Sequence, residues 1–238
     1  PAFIGDGSQL TNLPTPTVNY SDITNTPLSY NENGTGIQSS SSTASGDYST
    51  ALGNGATASG PYSTAMGGST TASGEYSTAM GGSTTASGNA STAMGDFTTA
   101  SGFSSTAMGW STEASGFAST AMGIGTTASG EYSTAMGGST VASGAYSSAS
   151  GGATTAKDYL SFVIGVHNKT DETPNPDSFS YQNTAFVIGN GGYDSEGNTS
   201  DTFSNAFEVL FDGTTTIAGD LNINSDARLK ANIISLGA

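Results

Sequence analysis

From residue 43 onward the chain repeats one pattern of small apolar and hydroxyl side chains, T-A-S-G-x-Y-S-T-A-M-G-G-S-T, almost without charge. The triplet Ala-Ser-Gly begins at residues 44, 58, 72, 86, 100, 114, 128 and 142, a constant spacing of 14. A second triplet, Ala-x-Gly, begins seven residues after each first one, at 51, 65, 79, 93, 107, 121, 135 and 149. Each repeat therefore holds two half-turns. Within a half-turn the residues alternate, as in T-A-S and T-A-M, which is the period of a strand, and each short strand is expected to end in Gly at a corner. Two strands and two corners make one coil. Eight coils stacked at the ~4.8 Å spacing of hydrogen-bonded strands predict a parallel β-solenoid roughly 38 Å long. The Gly and β-branched content excludes a helix.

The alternation also assigns faces. Ala44 and Ala51 of the first coil, and their counterparts in each later coil, point inward, where facing strands leave no room for a larger side chain. Their neighbours point outward. On the Ala-Ser-Gly side these are Thr and Ser, such as Thr71 with Ser73, Thr85 with Ser87 and Thr99 with Ser101. On the other side they are Thr and Met. All six Met residues (Met66, Met80, Met94, Met108, Met122 and Met136) occupy this one position, with Leu52 before them and Ser150 after. An apolar row on the outside of a solenoid needs a partner. Burying an apolar side chain is worth ~1.5 to 3 kcal/mol, so three chains with six Met each gain roughly 30 to 50 kcal/mol at most by closing on a threefold axis. Met suits the imperfect packing of such a seam. The alternative is that Met fills the interior of a single chain, against which Ala and Met alternate and cannot both face inward.

Composition supports this picture. Gly accounts for 34 of the 238 residues and hydrophobic residues for 34%, too few for a compact α/β core. A formal net charge of −15 suggests disorder by itself, but disordered chains do not keep a strict register over a hundred residues. With 19 acidic residues against 4 basic ones (Lys157, Lys169, Arg228 and Lys230), nucleic acid and anionic membranes are not expected partners. No Cys and a single His, His167, offer neither disulfides nor a metal cluster, and no cofactor is expected. No run of residues is long and apolar enough for a membrane span, and the first ten residues lack the form of an export signal. Starting at Pro1, the chain reads as a segment of something longer.

The repeat S-T-A-M-G-G-S-T-T-A-S-G resembles, position for position, the unit S-V-A-I-G-x-x-S-x-A-x-G of YadA-like heads of trimeric autotransporter adhesins. The resemblance covers residues 43 to about 156 and implies a left-handed parallel β-roll in an intertwined homotrimer. Here Thr and Met stand where that unit has Val and Ile, so the collagen binding of some such heads does not carry over. The flanks resemble a different family. FIGDGSQLTNLP (3 to 14) and YSDITNTP (20 to 27) look like shaft segments of phage tail fibres, and SNAFEVLFDGTTTIAGDLNINSDARLKANI (204 to 233) looks like the junction with an endosialidase-type intramolecular chaperone. In that family a Ser followed five residues later by Lys cleaves its own chain, and Ser225 and Lys230 match. A neutral, desolvated Lys can activate a Ser hydroxyl. The chaperone fold that would bury this Lys is not in the sequence, so the dyad is expected to be inactive, and no other catalytic residue is expected.

Between roll and junction, SFVIG (161 to 165) and AFVIG (185 to 189) reuse the strand-then-Gly form with larger side chains and are expected to continue or cap the sheet, while residues 168 to 183 read as an exposed loop. The resulting division is a fibrous connector over 1–42, the β-roll over 43–156, a trimeric β region over 157–224 and the start of a truncated chaperone over 225–238.

Candidate binding residues are the aromatics that break the pattern in mid-roll, Phe97, Phe103, Trp110 and Phe117. Phe103 and Phe117 share one corner of successive coils, and Trp110 and Ile124 the opposite corner, so each pair should stack. Tyr48, Tyr62, Tyr76, Tyr132 and Tyr146 read as another ladder, at the corner entering the Met strand. An exposed aromatic row beside Asp96 and Glu113 suits a sugar or a receptor protein; the competing reading is that corners of adjacent protomers meet there. Asp47, Glu75 and Glu131 lie at equivalent corners too far apart for paired-carboxylate catalysis, and His167 reads as a surface residue.

The expectation is therefore an all-β homotrimer without enzymatic activity. It would serve as a structural and adhesive segment of the tail fibre of a phage or a phage-like contractile injection system, contacting a host-cell surface glycan or protein without membrane insertion. The alternatives are the head of an autotransporter-type adhesin at a bacterial surface and an ice-binding solenoid built on the Thr rows. Glu113 and Val141 interrupt those rows.

Overall fold

The computed structural model describes residues 28–30, 35–170, 173–192 and 203–219. All its regular structure is β, in two sheets of 14 and nine strands that face each other across the coils. Each coil contributes a long strand such as Thr78–Gly82 to the first sheet and a short one such as Thr85–Ala86 to the second. Successive coils pair in parallel with no slip: Thr78, Ala79 and Met80 stand beside Thr92, Ala93 and Met94, and the next coils follow suit. A slip of one residue would turn the Ala row out of the core and the Thr and Met rows into it, which fixes the register.

The core is one row of Ala from each sheet. Each of these side chains, from Ala44 to Ala156, is at most 1% exposed, as the alternation predicts. The Ser and Thr that flank the corners, such as Ser77 and Thr84, close the ends of this thin core and are equally buried. Met and the outward Thr lie on the outer side of the long strands.

Three features differ from the sequence reading. First, the stack has nine coils rather than eight, since the short-strand sheet has nine members. The ninth coil spans residues 155–168 and escapes the pattern because Val163 and Ile164 replace Ala and Met, and Asp158 replaces the corner Gly. Second, the Gly of Ala-Met-Gly lies within a long strand and not at its end: Gly67 is inside Thr64–Gly68. Its φ is +121°, and a Cβ there would run into the carbonyl oxygen of Gly81 in the next coil. Close backbone stacking, not a turn, requires this glycine. The Ala-Ser-Gly glycines, such as Gly74, do lie at a corner, where a Cβ would meet the carbonyl of Gly88.

Third, the corners themselves turn on side-chain-bearing residues in the left-handed region. Tyr48, Tyr62, Tyr76, Ala90, Ser104, Ala118, Tyr132, Tyr146 and Leu160 hold φ between 50° and 62° at one corner. Ser69, Ser83, Phe97, Ser111, Ser139, Ala153 and His167 do so at the other, with φ between 43° and 54°. Each such residue costs ~1 to 2 kcal/mol. The offset is a backbone hydrogen bond to the preceding coil, as Tyr76 N–H donates to the Pro61 carbonyl at 2.9 Å and Phe97 N–H to that of Gly82 at 2.9 Å. At ~0.5 to 1.5 kcal/mol each, these bonds roughly balance the strain, and the corners lock the coil spacing.

Side-chain amides close the nine-stranded sheet at both ends. Gln38 Oε1 accepts from Ala44 N–H at 2.9 Å at the first strand. At the last, Asn168 Oδ1 accepts from Thr155 N–H at 2.7 Å while its Nδ2 donates to the Thr155 carbonyl at 3.0 Å, standing in for the backbone of a tenth coil. The 14-stranded sheet continues instead. Phe162–Val166 pairs in parallel with Thr184–Asn190, and Asn205–Leu210 and Thr215–Ile217 then add antiparallel strands. The predicted loop between these strands folds back on the roll: Asn175 N–H donates to Asp158 Oδ1 at 2.8 Å, and Ala145 N–H to the Pro176 carbonyl at 2.8 Å.

Candidate functional site

The roll offers two edges and two flat faces. On the outer face of the 14-stranded sheet, Leu52, Met66, Met80, Met94, Met108, Met122 and Met136 are register partners in unbroken succession. In the single chain they are only partly covered, Met66 at 36% and Met136 at 37% exposed. The row continues beyond the sequence-predicted seven. After Ser150 come Ile164, Ile188, Phe207 and Ile217, each the register partner of the one before. The neighbouring Thr row likewise turns aromatic: Phe162 and Phe186 stack at 5.8 Å, and Phe207 meets Phe186 edge-on at 6.0 Å. The signal in the sequence was the FVIG pair at 162 to 165 and 186 to 189, which keeps the repeat's outward positions.

The candidate aromatics fall on opposite edges and do not form one site. Phe103 and Phe117 stack at 5.3 Å with an interplanar angle of 4°. What reads in the sequence as a separate Tyr ladder joins this same edge, because Phe117 meets Tyr132 edge-on at 5.3 Å and Tyr132 stacks on Tyr146 at 4.8 Å. Tyr159 extends the run at 5.6 Å. Corner residues one position apart in the repeat are close enough for ring contact between coils, which position-by-position matching misses. Tyr48, Tyr62 and Tyr76 form an earlier stack on this edge, at 5.2 and 5.0 Å. The phenol of Tyr146 is raised above its ordinary value by partial desolvation in the stack, then by Tyr132, Tyr159 and Glu131. On the opposite edge Trp110 is the register neighbour of Asp96 and Ile124, with Phe97 at the adjoining corner, and Phe97, Trp110 and Ile124 are all exposed.

The outer face of the nine-stranded sheet carries the hydroxyl rows, broken in register by Glu113 and Val141. Ser225 and Lys230 lie outside the described residues. His167 is partly covered, its ring 5.7 Å from that of Phe203. Among the described residues no group of three or more His, Asp or Glu could hold a metal.

Comparison with known families bears on the roll. The model of the YadA head domain repeat matches residues 44–70, 72–98, 100–126, 114–140 and 128–154, each match spanning two coils. Residues 44–154, a little under half of the chain, are thus similar to YadA head repeats. The matches end where Val163 and Ile164 replace the Ala and Met of the unit, although the coils continue. No curated protein matches the chain. No described helix is long and apolar enough to cross a membrane.

Proposed function

We propose that the chain is a stiff, adhesive segment of a homotrimeric fibre exposed outside the cell, attaching a phage or phage-like contractile injection system to its host. The observation that carries the trimer is the apolar row from Leu52 to Ile217 on the open face of the 14-stranded sheet, interrupted at Ser150. Among the described residues the core is built of Ala and leaves that row partly exposed. Three copies around an axis bury it, with Met where the seam is loosest and Ile and Phe at one end. The YadA-like repeats support an adhesive, surface-exposed role. The tail-fibre assignment draws on the resemblance of residues 3–14, 20–27 and 204–233 to fibre shafts and chaperone junctions. The second reading, the head of an autotransporter-type adhesin, is favoured by the repeat family alone.

Light scattering on the purified chain tests assembly. A mass three times 23.5 kDa is expected, and 23.5 kDa would overturn the axial row. An antibody raised against the roll then separates the two carriers: labelling of purified particles supports the fibre, and labelling of a bacterial outer surface supports the adhesin.

A further inference from the structure

Two of the four basic residues, Lys157 and Lys169, converge on one spot of a chain with 19 acidic residues. With Thr155, Asn168, Thr170 and Phe203 they line an open pocket of about 340 Å³ at the C-terminal end of the roll. No carboxylate lines this pocket among the described residues. Lys157 takes the outward position that Ser143 and Ser129 hold in earlier coils of the nine-stranded sheet. The pocket therefore opens on the side away from the Met row and stays accessible in a trimer closed on that row.

The walls are built rather than incidental. The Lys157 ammonium donates to Thr170 Oγ1 at 3.3 Å. The Lys169 backbone is pinned on both sides by the Asn205 side chain, which accepts from its N–H at 2.8 Å and donates to its carbonyl at 3.2 Å. Asn168 is fixed by its bonds to Thr155. Phe203 presents a ring that is 52% exposed and rests on His167. Two described carboxylates stand close by and are engaged elsewhere: Asp158, buried and lining with Lys157 and Lys169 a small adjoining cavity of about 20 Å³, accepts the N–H groups of Asn175 and Thr184, and Glu208 Oε2 accepts from Asn205 Nδ2 at 3.2 Å. Lys157 and Lys169 bring two positive charges to this pocket, and an anion bound there offsets their mutual repulsion. A carboxylate suits paired Lys donors, and a flat apolar ring suits the C–H face of a pyranose.

We propose that this pocket binds an acidic sugar, its carboxylate held by Lys157 and Lys169 and its ring laid on Phe203. The proposal deepens the adhesive reading by naming a ligand class, and it rests on that reading for its biological use.

The test titrates the whole chain with glucuronic acid, glucose and inorganic phosphate, followed by NMR and calorimetry. Glucuronic acid is expected to bind and glucose not. Lys157→Gln and Lys169→Gln should each weaken glucuronic acid about tenfold, and Phe203→Ala should weaken it while leaving phosphate unchanged. Glucuronic acid binding no better than glucose overturns the site. Equal binding of phosphate and glucuronic acid, indifferent to Phe203→Ala, overturns the sugar assignment. Cell attachment is scored separately. Attachment lost with glucuronic acid binding intact counts against the adhesive reading alone, and attachment that survives in a Lys157→Gln variant unable to bind glucuronic acid counts against the pocket as the adhesive contact.

Discussion

Replacing Gly95 with Ala adds a single methyl group, and the structure says it is one of the most costly changes available in this chain. Gly95 sits inside the strand Thr92–Asp96 at φ +124°, where its missing Cβ would overlap the carbonyl oxygen of Gly109 in the next coil. The backbone conformation alone costs an L-residue of order 1 to 3 kcal/mol. The overlap cannot be relieved by a rotamer, because the obstacle is backbone and Gly109 faces Gly123 in the same way. The two coils must separate locally, which weakens flanking ladder hydrogen bonds worth ~0.5 to 1.5 kcal/mol each. The expected loss is about 3 to 6 kcal/mol per chain, which lowers the melting temperature by about 10 °C or more in a domain of this size. The control is Gly68→Ala, two residues after Met66 in its strand, where an added Cβ meets nothing within 4 Å. It should be neutral or slightly stabilising, by up to ~1 kcal/mol, through the unfolded chain. Thermal unfolding followed by circular dichroism compares the two variants directly. Equal melting temperatures for both would refute the argument that backbone contact between coils, rather than turning at corners, requires these glycines.

Further perturbations probe the other structural statements. Met108→Asp places a carboxylate in mid-row between Met94 and Met122 and should convert a trimer to monomers by light scattering; a variant that remains trimeric with unchanged melting would remove the axial assignment. Asn168→Ala deletes the two bonds that close the last short strand and should cost ~1 to 3 kcal/mol, seen as faster amide exchange at Thr155 than in the central coils. Tyr146, its phenol raised above the ordinary tyrosine value, keeps its proton in the folded chain after the unfolded chain has lost it. Stability should therefore fall as pH rises past that value, and Tyr146→Phe should flatten this part of the pH profile; an unaltered profile would contradict the coupling.

The sequence was most legible where one side chain repeats at one position. Ala44 and its counterparts read as core because only Ala fits between the sheets, and Met66 to Met136 read as an outward row because they alternate with that core. The corners were illegible for a physical reason. Their left-handed residues are Tyr, Ala, Ser, Leu, Phe and His, and none of these side chains announces a positive φ. What holds each one there is the bond to the preceding coil, an interaction between residues 15 apart that no local pattern records, as between Tyr76 and Pro61. The Ala-Met-Gly glycines drew attention to themselves and were given turns that other residues make, although Gly55 and Gly125 do hold a left-handed corner. The aromatic edge was split into two ladders for a related reason, since Phe117 and Tyr132 occupy different repeat positions and meet only once the coils are stacked.

The same stacking explains why the end of the roll differs from its middle. Each interior coil has its backbone satisfied and its Ala covered by identical neighbours, so small side chains suffice. The last coil has a neighbour on one side only in the short-strand sheet, and there the chain substitutes Asn168 for Thr, Asp158 for Gly and Val163 for Ala. Asn168 supplies the missing backbone bonds, Asp158 accepts from the returning loop, and Val163 with Val187 thickens the core where coils stop supporting one another. The price is a break in the repeat, and that break leaves room for side chains the coils never use. Lys157 and Lys169 appear there, where a ligand pocket costs the solenoid least.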